Sequence, residues 1–220
     1  KLMPYQVILV GASGLIGSHL LSALIESAEI SRIVLLLRKP LKIPISKVQE
    51  LIVNFDELEH FSTEIRGDIM FSCLGTTKAA TPDSGQYRKI DFEYPLRLAE
   101  IGIRNGVSQF HLVSSLGANA LASNSYLKLK GELENELKKL SIPSLHIYQP
   151  SLLTGKRKES RLLEMFAISA FKLIDPLLIG PLKKFRSIRA ETVARAMLNQ
   201  SLKGLKGTFI YPSIQIQELA

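Results

Sequence analysis

The stretch YQVILVGASGLIGSHL, residues 5–20, decides the architecture. Val7, Ile8, Leu9 and Val10 form an unbroken apolar run, the pattern of a strand buried on both faces. Gly11, Gly14 and Gly17 follow at once, and from Leu15 onward Ile16, Leu20, Ala23 and Leu24 recur at helical spacing. Strand, glycine turn and helix in this order are the context in which such a motif holds a dinucleotide. Gly11 permits the tight turn, Gly14 lets the backbone approach a diphosphate, and Gly17 lets helix and strand pack closely. Ser13, Leu15 and Ile16 complete the cradle, where the first helical N–H groups and the positive end of the helix dipole face the phosphates.

Outward from this unit the alternation continues. Residues 33–37 read as a second strand, and further strands are expected at 51–53, 69–73, 109–113, 145–148 and 208–211. Helical stretches at 87–105, 125–140 and 190–202 lie among them, with Pro82 and Asp83 as a helix start and Gly106 as a stop. Alternating strands and helices imply a doubly wound α/β fold, a mainly parallel sheet with helices on both faces. Ligands of such sheets bind beyond the C-terminal ends of the strands. A chain of 220 residues is expected to form one nucleotide-binding domain over 1–220, with 151–220 contributing a substrate-side cover.

With 46% hydrophobic and 22% charged residues the composition is that of an ordered globular protein. The net charge of +8 raises the question of nucleic acid, but the cationic groups at Lys156, Arg157, Lys158 and Arg161 and at Lys183, Lys184, Arg186 and Arg189 have no interleaved aromatic residues for stacking on bases. A solvated surface or a pocket for one anionic ligand is expected instead, and no nucleic-acid partner. Residues 162–182 are apolar yet broken by Glu164, Lys172, Asp175, Pro176 and Pro181, so no transmembrane span is expected there. A helix over 161–174 would suit a covered core, a lid or a two-fold contact, which leaves a homodimer or a protein partner open. The lone Cys73 and the lack of a leader-like N-terminal pattern lead to an expected cytoplasmic location.

Two further features carry chemistry. At the end of the second strand, where an acid would favour NAD, stand Arg38 and Lys39. Arg38 can grip a 2′-phosphate with its planar fork, which favours NADPH, although an ordinary basic strand end has the same appearance. Tyr126 and Lys130 are four residues apart on an expected helix and therefore share one face. An ammonium one turn away favours the phenolate, so the tyrosine can exchange a proton with a substrate oxygen. Ser115, at the end of the fifth strand, can hydrogen-bond the same oxygen, while Ser114 points to the opposite face of a regular strand.

The order of glycine turn, Arg38, Ser115, Tyr126, Lys130 and Pro150 resembles the short-chain dehydrogenase/reductase superfamily over nearly the whole chain. Within it the chain is most similar to the atypical branch of the Tat-interacting protein oxidoreductases and their bacterial relatives. The residues that carry this are Cys73-Leu74-Gly75-Thr76-Thr77, Ser114-Ser115-Leu116-Gly117-Ala118, Tyr126 through Gly131-Glu132, and the segment 155–161. The resemblance implies NADPH bound beside Leu74, Gly75 and Thr76, adenine bordered by Asn54 and Phe55, and nicotinamide touched by Pro150, Leu152 and Leu153. It also implies hydride transfer between the cofactor and an unidentified small carbonyl or alcohol, with Ser115 orienting the oxygen, Tyr126 as acid and base, and Lys130 holding the ribose. The other reading is a non-catalytic NADP(H)-binding regulator. Two departures stand out. Asp91 occupies the place of an asparagine that helps hold a proton-relay water, and Gln149-Pro150-Ser151 replaces Arg-Pro-Gly.

Overall fold

The apolar run before the glycine turn forms β1 (Tyr5–Val10), whose last four residues are fully buried. Helix α1 (Leu15–Glu26) returns the chain to β2 (Ile30–Leu37), and β3 (Val48–Ile52) lies beside it. The structure, a computed structural model, describes residues 4–77, 79–154 and 185–220. A 3₁₀ segment (Phe55–Phe61) leads to β4 (Ile69–Ser72). Then come α2 (Ser84–Arg88), a π turn (Lys89–Glu93), α3 (Tyr94–Arg104), β5 (Gln109–Val113), α4 (Ser125–Lys139) and β6 (Ser144–Gln149). The two-residue strands β7 (Leu153–Thr154) and β8 (Ile188–Arg189) pair with each other, and α5 (Ala190–Ser201), β9 (Gly207–Pro212) and α6 (Ser213–Glu218) follow.

Seven strands make one sheet in the order β3-β2-β1-β4-β5-β6-β9, and every described pairing in it is parallel. This is the doubly wound arrangement. The strand order reverses between β1 and β4, so their C-terminal ends open a crevice there. One face buries Val7, Leu9, Leu35 and Phe71 against α1 and α5; the other buries Ile8, Val10, Met70, Leu112 and Ile147 against α3 and α4.

On the α5 face a row of rings crosses four strands, because Phe71, His111, His146 and Phe209 are register partners in turn. The imidazoles of His111 and His146 stack at 4.3 Å with planes 4° apart, and neither residue has any exposed surface. His111 reaches Tyr148 Oη at 3.1 Å and Gln109 Oε1 at 3.2 Å, while His146 reaches Tyr211 Oη and Ser144 Oγ, both at 2.9 Å. Burial without a counter-charge disfavours the imidazolium, pushing His111 well below its ordinary value and His146 down to about 4.

The expected helix over 87–105 is not one helix. Pro95 has no N–H to offer the carbonyl of Asp91, and its ring crowds that carbonyl, so an ordinary turn cannot pass through this point. The chain inserts the π turn instead, in which the N–H of Tyr94 bonds back to Lys89. Other differences lie at element ends. β2 begins at Ile30, ahead of the apolar run, because Ser31 and Arg32 are exposed yet still in the strand. β3, an edge strand, spans Val48–Ile52 instead of 51–53. The expected helix over 161–174 and the basic cluster at 156–161 lie outside the described residues.

Candidate active site

The glycine turn sits at the mouth of the crevice. Gly11 adopts φ +83°, a left-handed conformation that favours glycine. A Cβ at Gly17 would stand 2.1 Å from the carbonyl oxygen of Gly11, so only glycine lets α1 come this close to β1. Helix α1 is capped by Gly14 with no side-chain hydrogen bond, which leaves the N–H groups of its first turn, from Leu15, Ile16 and Gly17, facing the opening. Ser13 is exposed beside them. These donors suit a diphosphate.

Arg38 and Lys39 are exposed just beyond the end of β2. Past β3, the side chain of Asn54 caps the 3₁₀ segment by accepting from Asp56 N at 3.1 Å. Phe55 is buried and packs on Tyr94, ring centroids 5.4 Å apart, so its ring belongs to the core. On the other side of β1, Cys73 closes against the turn: its N–H bonds Val10 O, and its carbonyl fills the space a Gly11 side chain would need. Desolvation pushes the Cys73 thiol up to about 12, which removes it as a thiolate nucleophile.

Leu74, Gly75 and Thr76 continue from β4 along the crevice, and here Asp91 enters. The π turn directs its carboxylate inward with no exposed surface. Oδ2 accepts the N–H of Thr76 at 2.9 Å, and Oδ1 lies 2.8 Å from Lys130 Nζ as an ion pair without a well-aimed hydrogen bond. The departure from asparagine thus creates a buried charge pair. Burial, and after it the negative charges of Asp91 and of an ionised Tyr126, pushes the hydroxyl of Tyr87 on α2 well above the ordinary range.

Tyr126 and Lys130 stand on α4, whose N-terminus is fixed by Asn124, accepting from the N–H groups of Tyr126 and Leu127 at 2.9 and 3.1 Å. Tyr126 is half-buried at the opening and Lys130 is buried beneath it. Ser115 is half-buried just past β5, and the next residue, Leu116, donates its N–H to the carbonyl of Pro150 at 2.9 Å, so the ends of β5 and β6 run side by side. Ser114 faces away and donates to the buried carboxylate of Glu134 at 2.5 Å; Gln149 donates to both oxygens of the same group at 2.9 and 3.1 Å. Glu134 therefore locks α4, one turn after Lys130, to both strand ends. Beyond Pro150, Leu152 is exposed and Leu153 forms β7.

Sequence reading did not find Tyr87, Glu134 or the partner of Asp91. Glu134 looks like one of several glutamates among lysines on a solvated helix. Its only distinguishing signal is position, one turn beyond Lys130 on the face that packs on the sheet.

The model of the NAD dependent epimerase/dehydratase family matches residues 7–211. This chain belongs to that family. Among curated proteins, this epimerase/dehydratase-family chain is 32% identical to HTATIP2 of Rattus norvegicus over 204 residues, 90% of the chain and 82% of the relative. The expected similarity to the Tat-interacting protein branch is thereby borne out. It is also 30% identical over 209 residues to mitochondrial fmp52 of Aspergillus clavatus, covering 92% of the chain and 89% of the relative. Of solved structures, MoeE5 in complex with UDP-glucose and NAD matches with TM-score 0.69 at 17% identity, covering 94% of this chain and 75% of that one. A UDP-N-acetylglucosamine 4-epimerase from Methanobrevibacter ruminantium matches with TM-score 0.70 at 15% identity, covering 96% and 77%. Those likenesses show the same fold.

One expectation is overturned. Several fmp52 relatives are named mitochondrial, which points away from the cytoplasmic location. A single cysteine excludes an internal disulfide but does not distinguish one reducing compartment from another. No described helix is long and apolar enough to cross a membrane.

Proposed function

We propose that this protein is an NADP(H)-dependent oxidoreductase acting on a small carbonyl or alcohol, built as one domain around the crevice between β1 and β4. The reading rests chiefly on one observation: Lys130 is buried one turn below Tyr126 and beside Thr76, on the wall that leads back to the glycine turn. The donor set fits a dinucleotide, with uncapped N–H groups at α1 for the diphosphate and a guanidinium at Arg38 for a 2′-phosphate. Among the described residues Arg38 has no ion pair, so its fork is available.

When bound, the nicotinamide would donate or accept a hydride. The chain's own residues manage the proton and the geometry. Ser115 holds the substrate oxygen with its hydroxyl, and Tyr126 gives that oxygen its proton in reduction or takes it in oxidation. Lys130 presents its ammonium to the ribose and to the Tyr126 oxygen. Leu74, Gly75, Thr76 and the segment Pro150, Leu152 and Leu153 wall the nicotinamide side, and Asn54 with the backbone of Phe55 the adenine side.

NADPH oxidation against a panel of aldehydes, ketones and quinones tests this. Tyr126→Phe keeps the ring, so it is expected to lower turnover by roughly 10² to 10⁴-fold with NADPH affinity retained. Arg38→Ala should weaken NADPH and leave NADH nearly unchanged, since a charged hydrogen bond of about 1.5 to 3 kcal/mol is lost. An unmodified chain that binds NADPH but oxidises it with no member of the panel would favour a binding protein over an enzyme.

A further inference from the structure

We propose that Asp91, acting through Lys130, sets how strongly the site discriminates between the oxidised and reduced forms of its nicotinamide cofactor. The inference rests on the cofactor-binding part of the preceding reading and needs no turnover. Its basis is the charge balance in one corner of the crevice. Lys130 retains 3% of its side-chain exposure and Asp91 none, so water screens neither charge and each is balanced by the other at 2.8 Å. Asp91 cannot swing away, because Thr76 N–H holds its second oxygen at 2.9 Å and the π turn fixes its backbone.

The pair lies directly under the cofactor-facing loop. A methyl group added to Gly75 would stand 3.6 Å from Asp91 Oδ1 and 3.9 Å from Lys130 Nζ, and Gly75 itself is exposed. At Gly75, therefore, no side chain stands between the pair and the crevice. The other ionisable groups nearby, Tyr87 and Tyr126, are phenols, and the next carboxylate along α4, Glu134, has Lys138 at 3.8 Å as well as its hydrogen-bond donors.

The oxidised nicotinamide ring is cationic and the reduced ring is neutral. A lone ammonium under the loop would repel only the oxidised form, and a lone carboxylate would attract only that form. The neutral pair does neither. Asp91 is therefore a positioning residue with an electrostatic consequence: it holds Lys130 against the crevice wall while cancelling the charge that would otherwise bias the bound couple toward NADPH.

The test is calorimetric titration of the full chain with NADP⁺ and with NADPH at one fixed pH and ionic strength, reading the ratio of the two dissociation constants. Asp91→Asn keeps an oxygen for Thr76 N–H but leaves Lys130 unbalanced, and should weaken NADP⁺ relative to NADPH by about tenfold. Lys130→Met leaves Asp91 unbalanced and should move the ratio about tenfold the other way. The double variant removes both charges and should return it to within about threefold of the unmodified chain. A tenfold change in the ratio is a shift of about 30 mV in the midpoint potential of the bound couple.

Purely structural damage would weaken both ligands by the same factor. A ratio that stays within about twofold in both single variants overturns the proposal, as does a double variant that matches Lys130→Met. Should Asp91→Asn fail to fold, Lys130→Met and the double variant still decide it. If the unmodified chain binds neither ligand, the cofactor reading itself falls and takes this inference with it; binding with an unmoved ratio sinks the inference alone.

Discussion

Acidification from pH 7 to 5 should cost this protein at least about 2 kcal/mol of stability through the two stacked imidazoles in the sheet. His146 is held down to about 4, below the ordinary histidine value of 6.5 expected for it in the unfolded chain. Between those values the unfolded state binds the proton and the folded state does not, so stability falls as the pH drops through this window. At one pH unit to about 1.4 kcal/mol, His146 alone removes about 2 kcal/mol by pH 5 and about 3 kcal/mol by pH 4. His111 is depressed in the same direction, first by burial and then by repulsion from His146, so it adds to the loss over the same window. Carboxylates such as Asp56, held low mainly by its hydrogen bond from Lys89, contribute only nearer pH 4, so the interval from 7 to 5 isolates the histidines.

Urea unfolding followed by circular dichroism across that interval measures the effect. The unmodified chain should lose at least about 2 kcal/mol, and His146→Gln, which cannot take up the proton, should lose clearly less over the same interval. An unfolding free energy that agrees within about 0.5 kcal/mol at pH 7 and 5 would refute the reasoning. So would a pH dependence that His146→Gln leaves untouched.

Other outcomes follow from close contacts. Gly17→Ala would drive its methyl to 2.1 Å from the Gly11 carbonyl oxygen, so α1 must shift away from β1; thermal melting should show clear destabilisation and calorimetry a loss of NADPH binding. Glu134→Ala strips Ser114 and Gln149 of their shared buried acceptor and should cost roughly 2 to 4 kcal/mol in urea unfolding, whereas Glu134→Gln, which keeps an acceptor oxygen, should cost visibly less. Equal losses in the two variants would mean that the carboxylate does not tie α4 to the strand ends.

Much of the fold is legible because its signals are local. The run Val7 to Val10 against Gly11 specifies strand and turn within a few residues, and the repeated alternation of elements then leaves few topologies open. Edge strand β3 is less legible, since its exposed residues interrupt the apolar pattern that defines the inner strands. The helix spacing of Tyr126 and Lys130 is equally local. What the sequence leaves unread is contact between distant segments. Asp91 and Lys130 lie in different helical segments, and Ser114, Glu134 and Gln149 meet only after β5, α4 and β6 have packed. His111 and His146 were readable as strand residues, but their stacking depends on a register that no short window contains. Pro95 was a local signal for the π turn, overshadowed by the helical periodicity around it.

That proline has a reach beyond its own turn. An amide hydrogen at position 95 would let the helix wind regularly, and removing the extra residue of the π turn would rotate everything before it by about 100° about the axis. Asp91 would then swing out of the corner it shares with Lys130, carrying its charge toward solvent and releasing Thr76. The electrical character of the crevice is in this sense written one turn away from Asp91, in a ring that carries no charge and forms no hydrogen bond through its nitrogen. A lineage could retune its cofactor pocket by gaining or losing one imino acid in a helix, leaving every residue that lines the pocket unchanged.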